Sequence, residues 1–302
     1  MIKEFYSNGK LLLTGEYAVL DGAKGLAIPT RFGQYLSVKN ATTGQINWQS
    51  LTDKNTPWFT ADLSLKNLQI LATSDVKSAE RLVSILREAK ALNSSFLDAC
   101  DGVYVDTKLT FPKDWGLGSS STLINNIAQW AQVNPYRLLE ATFGGSGYDI
   151  ACAQNDTPIV YHKIGGDPKV EKVVFDPIFK DRLFFVYLNK KQDSREAINR
   201  YRQLSIDKHA LISKVNELTS QMIESKDLQT FEFLIEQHES LLSETLNIAT
   251  IKNQLFPDYS GSIKSLGAWG GDFILATGKM EDIKYFHEKG YDTILPYTNM
   301  VL

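Results

Sequence analysis

Residues 112–130 read PKDWGLGSSSTLINNIAQW, and the reading of the whole chain turns on them. Glycines 116 and 118 let the backbone fold tightly, and Ser119, Ser120 and Ser121 open an apolar helical stretch. A helix start carries N–H groups with no intrahelical partner at the positive end of the helix dipole. That makes an anion seat suited to phosphate. The serine hydroxyls can add contacts to phosphate oxygens or to Mg²⁺. The same residues also read as an ordinary glycine turn with a serine N-cap. The stretch is not a Walker A loop, which requires a lysine after its last glycine. Nor is it a dinucleotide fingerprint, because Ser121 stands where the third glycine would be.

Upstream, Val103 to Phe111 alternates apolar and polar residues, which predicts a half-buried strand leading into the turn. Leu82, Ile85, Leu86, Ala89 and Leu92 share one face of a helix between Ser78 and Asn93. Lys10 to Thr14, Ala27 to Lys39 and Asn47 to Phe59 read as strands. Downstream, Asn134 followed by Pro135 gives a cap and a first helical position. Val173 to Asn189 predicts two strands around Pro177, and Ser194 to about Asn247 is helical, with His238 on an apolar, core-facing stripe. A short helix and a last apolar strand close the chain, and there is no internal repeat. Strands followed by helices in two blocks give an α+β fold with two domains, 1–165 and 166–302.

Composition excludes several classes. The 302 residues are 43% hydrophobic and 22% charged, as in soluble globular proteins, and the net charge of −3 offers no field for nucleic acid or anionic membrane. An anionic ligand must therefore be held locally. Cys100 and Cys152 form no CxxC pair and no disulfide framework, and the four histidines have no metal-ligand spacing. The N-terminus lacks the apolar run of a signal peptide, so a soluble, cytoplasmic protein is expected.

Two further stretches change the weight of the glycine turn. GKLLLTGEYAVLDG (Gly9 to Gly22) puts Lys10 at the start of a strand and Glu16 just past its end. SLGAWGGDF (Ser265 to Phe273) packs Gly267, Gly270 and Gly271 into five residues. In this order and spacing the three segments resemble the signature motifs of the GHMP kinases, from end to end of the chain. Within that family GEYAVLDG, GSGYDIA (Gly145 to Ala151) and KSLGAWGGD (Lys264 to Asp272) are most similar to phosphomevalonate kinases, as is KKQDSREAI (Lys190 to Ile198).

The resemblance implies an N-terminal domain of the ribosomal-S5 type and a ferredoxin-like C-terminal domain. It implies ATP and Mg²⁺ as cofactors and a small acidic acceptor, phosphomevalonate or mevalonate; a homodimer is compatible with it. The roles it implies are Asp149 as general base or charge stabiliser, Lys10 as its partner, and Ser120 as ligand to Mg²⁺ or phosphate. Glu140 is the nearest candidate for a second metal ligand. ATP would be held by Gly116, Leu117, Gly118, Ser119, Ser120 and Ser121 with Gly267, Gly270 and Gly271. Glu16, Lys190, Lys191, Ser194 and Arg195 would face the acceptor. A decarboxylase acting on diphosphomevalonate and a non-catalytic ligand-binding relative are the alternatives. Two departures from the family pattern stand out: Trp269 replaces a glycine in the third motif, and Ser121 replaces alanine or glycine in the second.

Overall fold

The computed structural model describes residues 2–192 and 194–302, the side chains of Ser194 and Arg195 excepted. The chain forms two compact units. One comprises the chain up to Gly9, Phe32–Lys113 and Leu117–Gln154; the other comprises Lys10–Arg31, Asp114–Gly116 and Asn155–Leu302. Strands β1 (Ile2–Leu12) and β2 (Gly25–Asn40) therefore contribute residues to both. The boundary expected at residue 165 lies inside the second unit, which also claims the first motif from Lys10 onward.

The first unit is a sheet with helices on one face. β3 (Gln45–Leu51) pairs antiparallel with β4 (Pro57–Ser64), which pairs with β5 (Ile70–Thr73). Helix α1 (Val76–Leu92) follows, and β6 (Val103–Leu109) then runs parallel to β3 and antiparallel to residues 34–40 of β2. The alternation read in β6 is present, with Val103, Val105 and Leu109 buried. They pack with Leu36, Ile46 and Trp48 against Leu82, Ile85, Leu86 and Ala89 of α1. Asp75 caps α1 by accepting from the N–H of Ser78. Leu92, read as part of the buried face, is 46% exposed because it is the last helical residue.

Helix α2 (Ser119–Ala131) sends Ile124, Ile127, Ala128 and Ala131 into the same core. Helices α3 (Pro135–Thr142) and α4 (Tyr148–Ala153) pack against it. Asn134 caps α3 as its sequence requires, accepting from the N–H groups of Tyr136 (2.9 Å) and Arg137 (3.2 Å).

In the second unit, residues 25–27 of β2 pair with β7 (Ile159–Ile164), and β7 pairs with β8 (Asp167–Lys172), both antiparallel. After β9 (Leu183–Tyr187) come α5 (Ser194–Arg202), α6 (Lys208–Glu224), α7 (Leu228–Leu246) and α8 (Ile251–Leu255). They are followed by β10 (Ile263–Ser265), β11 (Phe273–Thr277), α9 (Lys284–Glu288), β12 (Ile294–Pro296) and α10 (Tyr297–Met300).

The spatial order β10-β11-β9-β12, all antiparallel, with helices after β9 and after β11, is the split βαβ order of a ferredoxin-like sheet. Of the two strands predicted in Val173–Asn189 only β9 forms. Pro177 removes a ladder donor; Val174 and Ile178 are 88% and 85% exposed, while Phe175 and Phe179 are buried against Phe231, so the stretch packs by its side chains without pairing as a strand. His238 lies fully buried on α7, as its stripe predicts. Among the described residues no helix is long and apolar enough to cross a membrane.

Candidate active site

The glycine turn has the geometry its sequence demands. Gly116 and Gly118 adopt left-handed backbone, φ 69° and 90°. A Cβ at Gly116 would come within 2.2 Å of the carboxyl carbon of Asp272, so only glycine fits there. Gly118 is the N-cap of α2 and offers no side chain to the helix start. The first N–H of the helix that returns to the chain is that of Thr122, to the carbonyl of Gly118 (3.0 Å). The N–H groups of Ser119, Ser120 and Ser121 are those a helix leaves for a ligand or water.

Ser120 is exposed, whereas the hydroxyl of Ser121 donates back to the carbonyl of Gly118 (2.9 Å) and is committed to the turn. The helix behind is fixed by buried polar bonds. Asn125 Nδ2 donates to Ser7 Oγ (2.8 Å), Ser7 Oγ to Asn126 Oδ1 (2.7 Å), and Asn126 Nδ2 to the carbonyl of Gln34 (2.9 Å). Buried polar contacts of this kind set register as well as position, although Asn125 Oδ1 is buried without a partner among the described residues. Asp149 sits in the first turn of α4, half-buried, in the same unit as α2 and on a helix packed against it.

In the second unit the first and third motifs meet in a sealed ionic cluster. Lys264 Nζ donates to Glu16 Oε1, to Glu239 Oε1 (3.0 Å) and to the carbonyl of Ser265 (2.6 Å). Ser265 Oγ donates to Glu239 Oε2 (2.7 Å), and the N–H of Gly15 donates to His238 Nε2 (3.3 Å). Glu16 and Lys264 are each 1% exposed. Glu16, expected to face the acceptor, is thus a core residue; its carboxylate is spent on Lys264, a partner 248 positions away.

Burial raises the Glu16 carboxyl to about 7 despite the adjacent Lys264, with Glu239 adding to the rise. Burial also raises Glu239. Burial works against the charge on Lys264, but the two carboxylates outweigh it and its pKa is raised. Burial, then Lys264, hold His238 well below its ordinary value, so the imidazole is neutral. Gly15, at φ 86°, is required here: a Cβ would lie 2.8 Å from the carbonyl oxygen of Lys24.

The third motif bends sharply. Gly267 (φ 59°), Trp269 (φ 47°), Gly270 (φ 128°) and Asp272 (φ 55°) all have positive φ. Beside Gly267 there is open space, whereas a Cβ on Gly271 would meet the carbonyl of Lys190 at 2.6 Å. The N–H of Asp272 donates to that carbonyl (2.7 Å), and its Oδ1 accepts from the N–H of Gln192 (3.2 Å). Its carboxyl is raised by burial, which the charge of Lys10, the Gln192 N–H and Lys191 oppose. Asp272 was not among the expected site residues, although it ends the third motif and lies against Gly116. Its signal was its place after two glycines.

The other expected residues fall as follows. Lys10 lies near the end of β1, in the second unit, while Asp149 belongs to the first. Leu117 is buried. Lys190 and Lys191 are exposed after β9. Ser194 is the first residue of α5; its side chain and that of Arg195 lie outside the described residues. Glu140, expected near a metal, pairs with Arg137 (3.4 Å) on the exposed face of α3, its side chain 74% exposed. Among the described residues no three His, Cys, Asp or Glu side chains converge as a metal cage. Trp269 is buried rather than open to a nucleotide.

No family model matches the sequence, and no curated protein sequence matches it. Solved structures do. The mevalonate kinase of Methanococcus jannaschii superposes with a TM-score of 0.71 at 16% identity, over 98% of this chain and 97% of that one. The phosphomevalonate kinase of Streptococcus pneumoniae, in complex with phosphomevalonate and AMPPNP, gives 0.70 at 14% identity over 97% and 99%. The galactokinase of Lactococcus lactis, complexed with galactose, gives 0.67 at 12% over 97% and 92%. Over nearly its whole length, the chain has the fold of the GHMP kinases.

Proposed function

We propose that this protein is an ATP-dependent kinase that phosphorylates a small acidic metabolite, phosphomevalonate or, next to it, mevalonate. The observation that carries this reading is the pairing, within one unit, of an open helix start at Ser119–Ser120 with Asp149 on the helix packed against it. An anion seat and a carboxylate on neighbouring, rigid helices are what phosphoryl transfer asks of a protein, since catalysis there is mostly positioning and charge stabilisation. The Streptococcus phosphomevalonate kinase, with the same fold, was solved with a nucleotide analogue and an acid acceptor, which supports the same pair of ligands here.

In this reading an acceptor oxygen, the hydroxyl of mevalonate or an ionised phosphate oxygen of phosphomevalonate, bonds to the γ-phosphorus as the bond to the bridging oxygen of the leaving ADP breaks. Asp149 takes the proton of the hydroxyl in the first case and acts as a charge stabiliser in the second. The α2 N–H groups hold phosphate oxygens, and Lys10, Gly267, Gly270 and Gly271, which belong to the second unit, keep the charge-neutralising and phosphate-holding roles that the motif resemblance implies. Mg²⁺ arriving with the nucleotide supplies charge neutralisation at the phosphate oxygens, and the exposed hydroxyl of Ser120 suits it. Such an ion keeps waters and phosphate ligands and needs only one or two protein oxygens, so the lack of a carboxylate cage among the described residues is compatible with it. Lys190, Lys191, Ser194 and Arg195 provide cationic and helix-start groups for the acid.

A coupled ADP-release assay with mevalonate, phosphomevalonate and galactose, read alongside CO₂ evolution, tests the proposal. ADP formation with an acid and without CO₂ is expected. ADP formation only with galactose, or CO₂ release in step with ADP, overturns it.

A further inference from the structure

Asp272 closes the third motif in a left-handed backbone, φ 55°, one residue before β11 begins. Aspartate tolerates that conformation better than most residues, but glycine adopts it without strain, and Gly270 and Gly271 stand just before it. Its carboxyl is half-buried, and burial raises its pKa, so the charged form is held at a cost. A strained backbone that also carries a charge drawn out of water points to a use.

The contacts narrow that use. The β9–β11 ladder ends with Phe273 opposite Tyr187, and one further bond runs from the N–H of Leu188 to the carbonyl of Asp272 (2.8 Å). Past that point Asp272 turns its remaining groups onto the next stretch of chain. Its N–H donates to the carbonyl of Lys190 (2.7 Å), and its Oδ1 accepts from the N–H of Gln192 (3.2 Å). That carbonyl and that N–H belong to the two peptide groups flanking Lys191. Peptide groups are planar, so fixing both fixes the root of the Lys191 side chain between them. Gly271 permits the close approach, since a Cβ there would also lie 3.0 Å from the nitrogen of Gln192. The carboxyl is held in turn by the glycine turn, where a Cβ on Gly116 would lie 2.4 Å from each of its oxygens. Asparagine could accept the same N–H. The negative charge adds attraction for cations, and Lys10 and Lys191 both oppose the rise in its pKa.

We propose that Asp272 is a positioning residue for the acceptor: by binding both peptide groups that flank Lys191 it fixes that lysine for the acid. This rests on the kinase reading, in which Lys191 helps to seat the acid. It gives the third motif a part in acceptor binding beside the one implied for the nucleotide. A rival account has the same bonds merely close the loop after β9.

The test is a double-mutant cycle. Mevalonate and phosphomevalonate are titrated calorimetrically, at saturating AMPPNP, into wild type, Asp272→Ala, Lys191→Met and the double variant, with thermal melts of each. Expected are binding of an acid by the wild type, about tenfold weaker binding by D272A and by K191M, and little further loss in the double variant. Equal acid affinity in D272A and wild type overturns the proposal, whatever the melting temperatures. So does equal affinity in K191M. A loss in D272A that recurs in full on the K191M background leaves only loop closure and overturns it too. Should D272A not fold, the cycle is run with Asp272→Asn, which keeps an oxygen for the Gln192 N–H and loses the charge, and the same outcomes decide. AMPPNP binding without binding of either acid overturns the proposal and leaves the nucleotide site standing. Absence of AMPPNP binding brings down the kinase reading itself and this proposal with it.

Discussion

The start of α2 and the cluster around Lys264 are built from motif residues in opposite ways. At Gly118–Ser120 the chain leaves N–H groups and a hydroxyl unclaimed and open. Around Glu16, Lys264 and Glu239 nearly every polar atom is claimed by another and closed from solvent; Glu16 Oε2 and His238 Nδ1 are exceptions. The first arrangement can bind; the second can only hold. Membership in a signature motif therefore does not distinguish a residue that meets a ligand from one that fixes the loop that does. Burial and partners distinguish them.

The comparison can be broken most sharply at Asp149. Asp149→Asn is expected to lower turnover by about 10²- to 10⁴-fold, the reach of a positioned base, with its unfolding midpoint in urea unchanged. A variant that loses stability and keeps turnover would move Asp149 to the holding class. Lys264→Met should do the reverse. It strands two buried carboxylates and is expected to cost about 3–5 kcal/mol in urea unfolding. A loss under 1 kcal/mol would mean the cluster is not the latch its geometry describes.

The pH dependence of the cluster gives a finer cut. With Glu16 raised from 4.5 to about 7, the folded chain keeps a proton there that the unfolded chain has released. Its contribution to stability is therefore present below about 4.5 and is lost as pH rises toward 7. Glu239 acts with the same sign. His238, lowered from 6.5, acts with the opposite sign, its contribution being lost as pH falls below that value. Glu16→Gln removes the first contribution, together with the share of the rise at Lys264 that Glu16 supplies. The melting temperature of wild type relative to that of E16Q is expected to fall as pH rises from about 5 to about 7. A constant gap would contradict the raised carboxyl.

What the sequence made legible was local. The alternation of β6, the buried face of α1 and the Asn134–Pro135 cap each depend on residues within a few positions of one another, and each is in place. The glycine turn was legible because its left-handed backbone follows from residue type. What was not legible depended on distant partners. Glu16 reads as a charged residue after a strand, and only Lys264, 248 residues on, makes it a core group. Glu140 reads as a ligand until Arg137 and its exposure are seen. Asp272 gains its meaning from lying against Gly116. The split of β1 between units, which assigns Lys10 and Asp149 to different ones, is a property of contacts and has no local signal.

The central claim is that the open start of α2 seats a nucleotide phosphate. Calorimetric titration of AMPPNP with millimolar Mg²⁺ into wild type and Ser120→Ala tests it most directly. The account predicts saturable one-to-one binding by the wild type and binding at least about tenfold weaker in the variant, from one lost charge-assisted contact. Equal binding by the two proteins, or no binding by the wild type, would contradict it.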